Sequence, residues 1–210
     1  MNQDRAAPPI WFRLPPGFHD IGPGDRGAVD RIADALGRPD ARRDLGRLMD
    51  NLDELTAHHV VHTSVGLHPV DPVGVSASFF SLTVRNSDHA NPRVSVAQTA
   101  LAIARSTLWM SSARRFIDLP SSQPCCLVAG IISAPGVEQP VFQARAVMAH
   151  PEGGHVLVLD LTSAATEHAD AYTSILEAVA HTVSFSNPDP DSDPGPAGKT
   201  ATSRILDLLL

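Results

Sequence analysis

Between Gly154 and Phe185 the hydrophobic period of the chain changes from that of a strand to that of a helix. A largely apolar run, His155 to Thr162, is followed by a segment on which Tyr172, Ile175, Leu176, Val179 and Val183 fall on one stripe. A helix with such a stripe has to bury it, and a sheet face is the surface the preceding strands offer.

The same reading extends upstream. Arg114 to Leu119, Cys125 to Ser133 and Val141 to Ala149 are further strand candidates, separated by Pro120, Pro124, Pro135-Gly136, Pro140 and Pro151-Glu152-Gly153-Gly154. Links this short cannot contain helical crossovers, so the strands are expected to be antiparallel neighbours. Val60 to His68 and Val75 to Arg85, interrupted by Pro69, Asp71 and Pro72, read as a hairpin. Asn91-Pro92 caps and opens a helix expected to turn Val94, Ala97, Leu101, Ala104 and Leu108 inward.

Near the start, Ile10 to Phe18 reads as a short strand stopped by Pro15-Pro16, with residues 19 to 24 as a turn. Two helices are expected next. Val29, Ile32, Ala33 and Leu36 share a face closed by Gly37, and Leu45, Leu48, Met49, Leu52 and Leu55 form the stripe of a helix opened by Pro39. Their outer faces alternate in charge, with Arg26 before Asp30, Asp40 before Arg43 and Asp44 before Arg47, as on a solvated helix surface.

These elements define an α+β domain over residues 10–186, an antiparallel β-sheet flanked by helices. Residues 1–9 are expected to be a flexible N-terminus. Residues 187–202, rich in Pro, Asp and Gly, bury too little to offset their ordering entropy and read as a disordered linker. The linker ends in an apolar segment, 203–210, whose Ile205, Leu206, Leu208, Leu209 and Leu210 are the candidate partner-binding residues. A short aliphatic stretch on a tether either folds back over its own domain or docks in a partner's groove.

Composition narrows the chemistry. With 43% apolar residues in 210, the chain can bury one ordinary core. A net charge of −7 disfavours a broad grip on nucleic acid or on an anionic membrane, and neither is expected as a partner. Lys199 is the only Lys among 16 basic residues, which points to coding bias in a GC-rich, actinobacterial-type genome. No secretory signal, lipobox cysteine or membrane-length apolar run is visible, so a soluble, cytoplasmic protein without membrane insertion is expected.

Few residues look chemical. His58, His59, His62 and His68 form the only histidine cluster, but no Glu follows the first His and the run is turning into strand. Ser64, Ser76, Ser78, Cys125 and Cys126 could serve as nucleophiles only beside a base and an oxyanion donor, and none stands in a Gly-x-Ser-x-Gly turn. The adjacent cysteines should point to opposite faces of a strand as inert thiols. Asp160 is the one strand acid expected to be half buried, opposite Arg145 in a structural ion pair. No cofactor, metal or catalytic residue is assigned. Trp11, Phe79, Phe80, Trp109 and Phe116 are expected to be core aromatics, with any exposed one becoming a contact candidate.

The opening Phe-Arg-Leu-Pro-Pro-Gly-Phe at 12–18 and the closing Ile-Leu-Glu-Ala-Val-Ala-His-Thr-Val-Ser-Phe at 175–185 resemble the PsbP-like superfamily. That group includes PsbP, the Ran-binding Mog proteins and the LpqN lipoproteins. The resemblance implies an α/β/α sandwich and a role in binding another protein, with no shared catalytic residues. The function expected is therefore that of a non-catalytic interaction or accessory protein, associated with a secretion or envelope assembly. The rival is a small-ligand-binding protein or enzyme with a pocket between sheet and helix that gathers His58, His62, Asp160 and Cys125.

Overall fold

Proline and glycine punctuation sets the strand lengths, and short links then force each strand beside its predecessor. In the computed structural model, which describes residues 8–22, 27, 30–32, 34, 59–70, 74–133 and 140–187, these strands form one seven-stranded sheet. They are β1 (Phe18–Asp20), β2 (Val60–Val70), β3 (Gly74–Asn86), β4 (Trp109–Asp118), β5 (Pro124–Ile132), β6 (Val141–Ala149) and β7 (His155–Ser163). Their order is β1-β2-β3-β7-β6-β5-β4 and every pairing is antiparallel. Among the described residues, α1 (Pro92–Ala104) and α2 (Ala169–His181) pack on it, and Gly27, Asp30 to Ile32 and Asp34 are helical, as the sequence pattern expected there. The chain is thus an α+β protein built on an antiparallel sheet, as its pattern implied.

Alternation along the strands divides the core between two faces. One face carries Phe80, Leu82, Leu127, Ala144, Ala146, Met148, Leu157, Leu159 and Leu161, and α2 lays Tyr172, Leu176, Val179 and Ala180 on it. The other carries Cys126, Val128, Val147, Ala149 and Val156 under Val96 and Ala100 of α1. Burial of the Val, Leu, Phe and Met side chains among them supplies about 1.5–3 kcal/mol each before entropic costs, and of the alanines less. Cys125 and Cys126 are accordingly in different cores, on opposite sides of β5.

Three expectations change. The inward stripe of α1 is Ser95, Val96 and Ala100 in place of the one centred on Val94, Ala97 and Leu101. Its rotation is pinned by Ser95, whose Oγ lies 2.7 Å from Ser87 Oγ and donates to the His89 and Asn91 carbonyls. The Asn91 cap is present, with Oδ1 accepting from the Arg93 N–H at 3.0 Å. Leu108 lies beyond the helix and is exposed, because the helix stops at Ala104 and β4 begins at Trp109, upstream of the expected Arg114.

The first strand is displaced too. Residues 10–17 contribute only a bridge between Trp11 and Ser184, and the sheet begins at Phe18. Trp11 and Ser184 exchange backbone hydrogen bonds of 2.9 and 2.8 Å, and Arg13 N–H donates to Thr182 Oγ1. The two sequence segments that suggested a family resemblance are therefore in contact with each other. Gly17 makes the turn into β1 at φ +94°, where a Cβ would crowd the Leu67 carbonyl oxygen at 2.7 Å.

The third change is Phe116, which is 68% exposed. Phe80 is fully buried and Trp109 half-buried, its indole N–H donating to the Ile103 carbonyl at 2.8 Å. Among the described residues β4 ends the sheet, and Phe116 stands on its α1 side, opposite Cys126, whereas Ile117, on the α2 side, is buried. The charged helices expected over 25–56 lie mostly outside the described residues, as do the 187–202 linker, save for Asn187, and the 203–210 segment.

Candidate functional site

The sequence candidates for chemistry do not converge. Cys125 sits on β5 beneath α2, Asp160 is on the opposite face of β7, and His62 is on β2. His58 and the partner-binding candidates Ile205, Leu206, Leu208, Leu209 and Leu210 lie outside the described residues. The pocket gathering His58, His62, Asp160 and Cys125 is thus not formed by the three that are described.

Each has a local partner instead. Arg145 and Asp160 are opposite one another across β6 and β7, with Arg145 Nε 2.5 Å from Asp160 Oδ2. Gln143 Nε2 donates to both carboxylate oxygens at 3.1 and 3.2 Å, and Thr162 Oγ1 donates to Oδ1 at 3.0 Å. Such a set of donors holds the carboxylate in place within the sheet. His62 Nε2 lies 3.4 Å from Asp20 Oδ1, with its ring edge against Phe12. Burial pushes the Cys125 thiol up to about 12 and raises that of Cys126, so both are protonated thiols near neutral pH.

Two hollows formed by described residues stand out, both between sheet and helix as the rival reading expected, but neither is lined by His62, Asp160 or Cys125. The smaller, about 230 Å³, lies between the β2–β3 hairpin and α2 and is lined by His68, Pro69, Ser76, His168, Ala171, Tyr172 and Ile175. His68 Nε2 is 2.8 Å from Ser78 Oγ, and Tyr172 Oη is 2.8 Å from Ser76 Oγ. Burial lowers the His68 pKa, so the imidazole is neutral at pH 7. Ser78 is itself buried, which ties the pair to holding the hairpin more than to attack on a substrate. The signal for it was the expected hairpin: antiparallel pairing of β2 with β3 sets His68 opposite Ser76 and Gly66 opposite Ser78.

The larger, about 470 Å³, is a cleft between α1 and the sheet margin. It is lined by Ala97, Ala100, Leu101, Cys126, Ser112, Arg114, Arg115 and Phe116. Its floor is apolar and its rim is β4, the ten-residue outer strand. Arg115 reaches to the other face and pairs with Glu177 of α2 through two hydrogen bonds, which raise the Arg115 pKa and lower that of Glu177. Phe116 and Met110, 68% and 65% exposed, are the most exposed large apolar side chains among the described residues, and both belong to β4. Sequence pattern could not place them outside, because exposure follows from the order of strands.

Among the described residues, no three His, Cys, Asp or Glu side chains gather as a metal site and no helix is long and apolar enough to cross a membrane. The fold and its margin define a class no finer than an α+β protein with a seven-stranded antiparallel sheet. No protein-family model matches the chain, and no curated protein matches it. Among solved structures it is similar to PA94 from Pseudomonas aeruginosa, a protein of unknown function, at 15% identity and a TM-score of 0.40, over 55% of this chain and 79% of that one.

Proposed function

We propose that this is a non-catalytic interaction protein whose working surface is β4 and the cleft behind it. The observation that carries the reading is the exposure of Phe116 and Met110 on a long outer strand, beside a hollow with an apolar floor and Ser112, Arg114 and Arg115 on its rim. The scatter of His62, Asp160 and Cys125 over separate strands and faces supports it from the other side. The reading includes a PsbP-like arrangement of sheet and helices, a cytoplasmic setting in an actinobacterial-type cell, and an accessory role in a secretion or envelope assembly. Another protein is the partner class, because the strand edge offers backbone hydrogen bonds and Phe116 offers an apolar anchor.

The test is Phe116→p-benzoylphenylalanine in the native cell, followed by irradiation. A discrete protein adduct is expected; its absence, with the chain folded and abundant, overturns the reading.

A second reading, a small-ligand site, is favoured by the hollow around His68 and Tyr172. Ile175→Trp fills that hollow. If the interaction reading holds, the filled variant gives the same adduct at Phe116, whereas a ligand-dependent protein would lose it.

A further inference from the structure

The two margins of the sheet are unequal. β1 spans three residues and β4 spans ten. An open margin presents unpaired N–H and C=O groups to any strand able to lie beside it, and a three-residue strand offers few of them. β4 carries two blunting devices, a bulge at Met110 and the adjacent Arg114 and Arg115. From Ser111 to Asp118 its register with β5 is nevertheless regular, and the Arg115 charge is already engaged by Glu177.

Self-pairing of this strand is tightly restricted. Residues opposite one another in an antiparallel pair share a face, so a strand meeting its own copy must be centred on a residue. Centres at Arg114 or Arg115 set two guanidinium groups directly opposite, which is destabilising. A centre at Phe116 soon runs into Pro120, which has no N–H to donate. A centre at Ser112 puts Phe116 against Leu108, outside the strand. A centre at Ala113 avoids all of these. It sets Arg114 opposite Ser112, Arg115 opposite Ser111, and Phe116 opposite Met110 at both ends, where the bulge closes the paired stretch.

We propose that β4 pairs antiparallel with β4 of a second copy of this chain about a two-fold axis at Ala113, so that the two sheets become continuous and each Phe116 packs on the other copy's Met110. The proposal rests on the reading of β4 as the interaction surface and names its occupant. It uses both exposed apolar side chains and opposes no like charges. Arg–Ser pairs at its centre leave the exposed Arg114 guanidinium able to reach solvent and the Arg115–Glu177 pair intact.

Light scattering on the full chain should give about twice 22.3 kDa, and Phe116→Asp, at an exposed position, should give the monomer with an unchanged circular dichroism spectrum. Ala113→Cys should form a covalent dimer under mild oxidation, since Cβ atoms of directly opposed residues lie about 4.5–5.5 Å apart. The native thiols are buried and will not compete. Register is read by mixing: Met110→Cys with Phe116→Cys should cross-link as a heterodimer, and neither should do so alone. A monomer at all concentrations, or a Phe116→Cys homodimer forming faster than the Ala113→Cys one, overturns the proposal. A Phe116 photo-adduct to a different protein from a monomeric chain would leave the interaction reading standing and remove self-pairing.

Discussion

Arg145 and Asp160 face one another across the two central strands β6 and β7, and the carboxylate is shared with Gln143 and Thr162. The side chains are 31% and 17% exposed, so water screens the pair only in part. Asp160→Asn removes the charge and leaves a half-buried guanidinium without its counter-ion. Stability should fall by roughly 1–3 kcal/mol, less than for a fully buried pair. Urea denaturation of the two proteins measures it, and a loss under about 0.5 kcal/mol would show the network to be ornamental.

His68 ties stability to pH. Its folded pKa lies below the unfolded value of about 6.5 because burial disfavours the imidazolium. The unfolded chain therefore takes up this proton first. The contribution of neutral His68 is complete above about pH 6.5 and is lost as pH falls through the lower folded pKa. His150 is shifted in the same direction by burial, so the comparison has to be a difference. Stability measured from pH 7.5 to 5 should fall less steeply in His68→Gln than in the parent; parallel curves would refute the assignment.

Strand positions were largely legible because Pro140 and Pro151 fall between strands, Pro124 stands only at the first residue of β5, where a missing N–H is tolerated, and the β-branched runs between them have the right length. The stripe of α2 was legible for a similar reason: Tyr172, Leu176 and Val179 lack competing apolar neighbours on the solvent side. In α1, by contrast, Val94 and Val96 are both apolar, and small alanines lie all round. The choice between faces fell to a serine pair, Ser87 with Ser95, that no periodicity encodes. Phe116 was misplaced because alternation reports which residues share a face and is silent on whether a strand has one neighbour or two. The candidate site was less legible still, since its cleft joins α1 to β4 only after β4 has been placed at the margin.

The two cysteines should separate by reactivity. At pH 8 a thiol with a pKa of about 12 is roughly one part in ten thousand thiolate, and Cys125 is also closed off beneath α2. Cys126 is raised less and lines the cleft. Iodoacetamide on native protein should label Cys126 slowly and Cys125 more slowly still, and both should react at the rate of a free thiol in denaturant. Rapid native labelling of Cys125 would contradict the burial described.

Gly130 controls how closely β4 approaches β5. It stands opposite Ser112, next to the bulge at Met110, and a Cβ built there would collide with the Ser111 carbonyl and with the Ser112 backbone. These are backbone atoms with no rotamer to yield, so Gly130→Ala must push the outer strand away. The expected cost is roughly 1–3 kcal/mol, typical of overpacking. Because β4, unlike β5, β6 and β7, has a strand neighbour on one side only among the described residues, the damage should be local: amide exchange in Ser111 to Phe116 should accelerate while β6 and β7 stay protected. Uniform loss of protection would mean that β4 belongs to the cooperative core, and the margin could not then act as a separable surface.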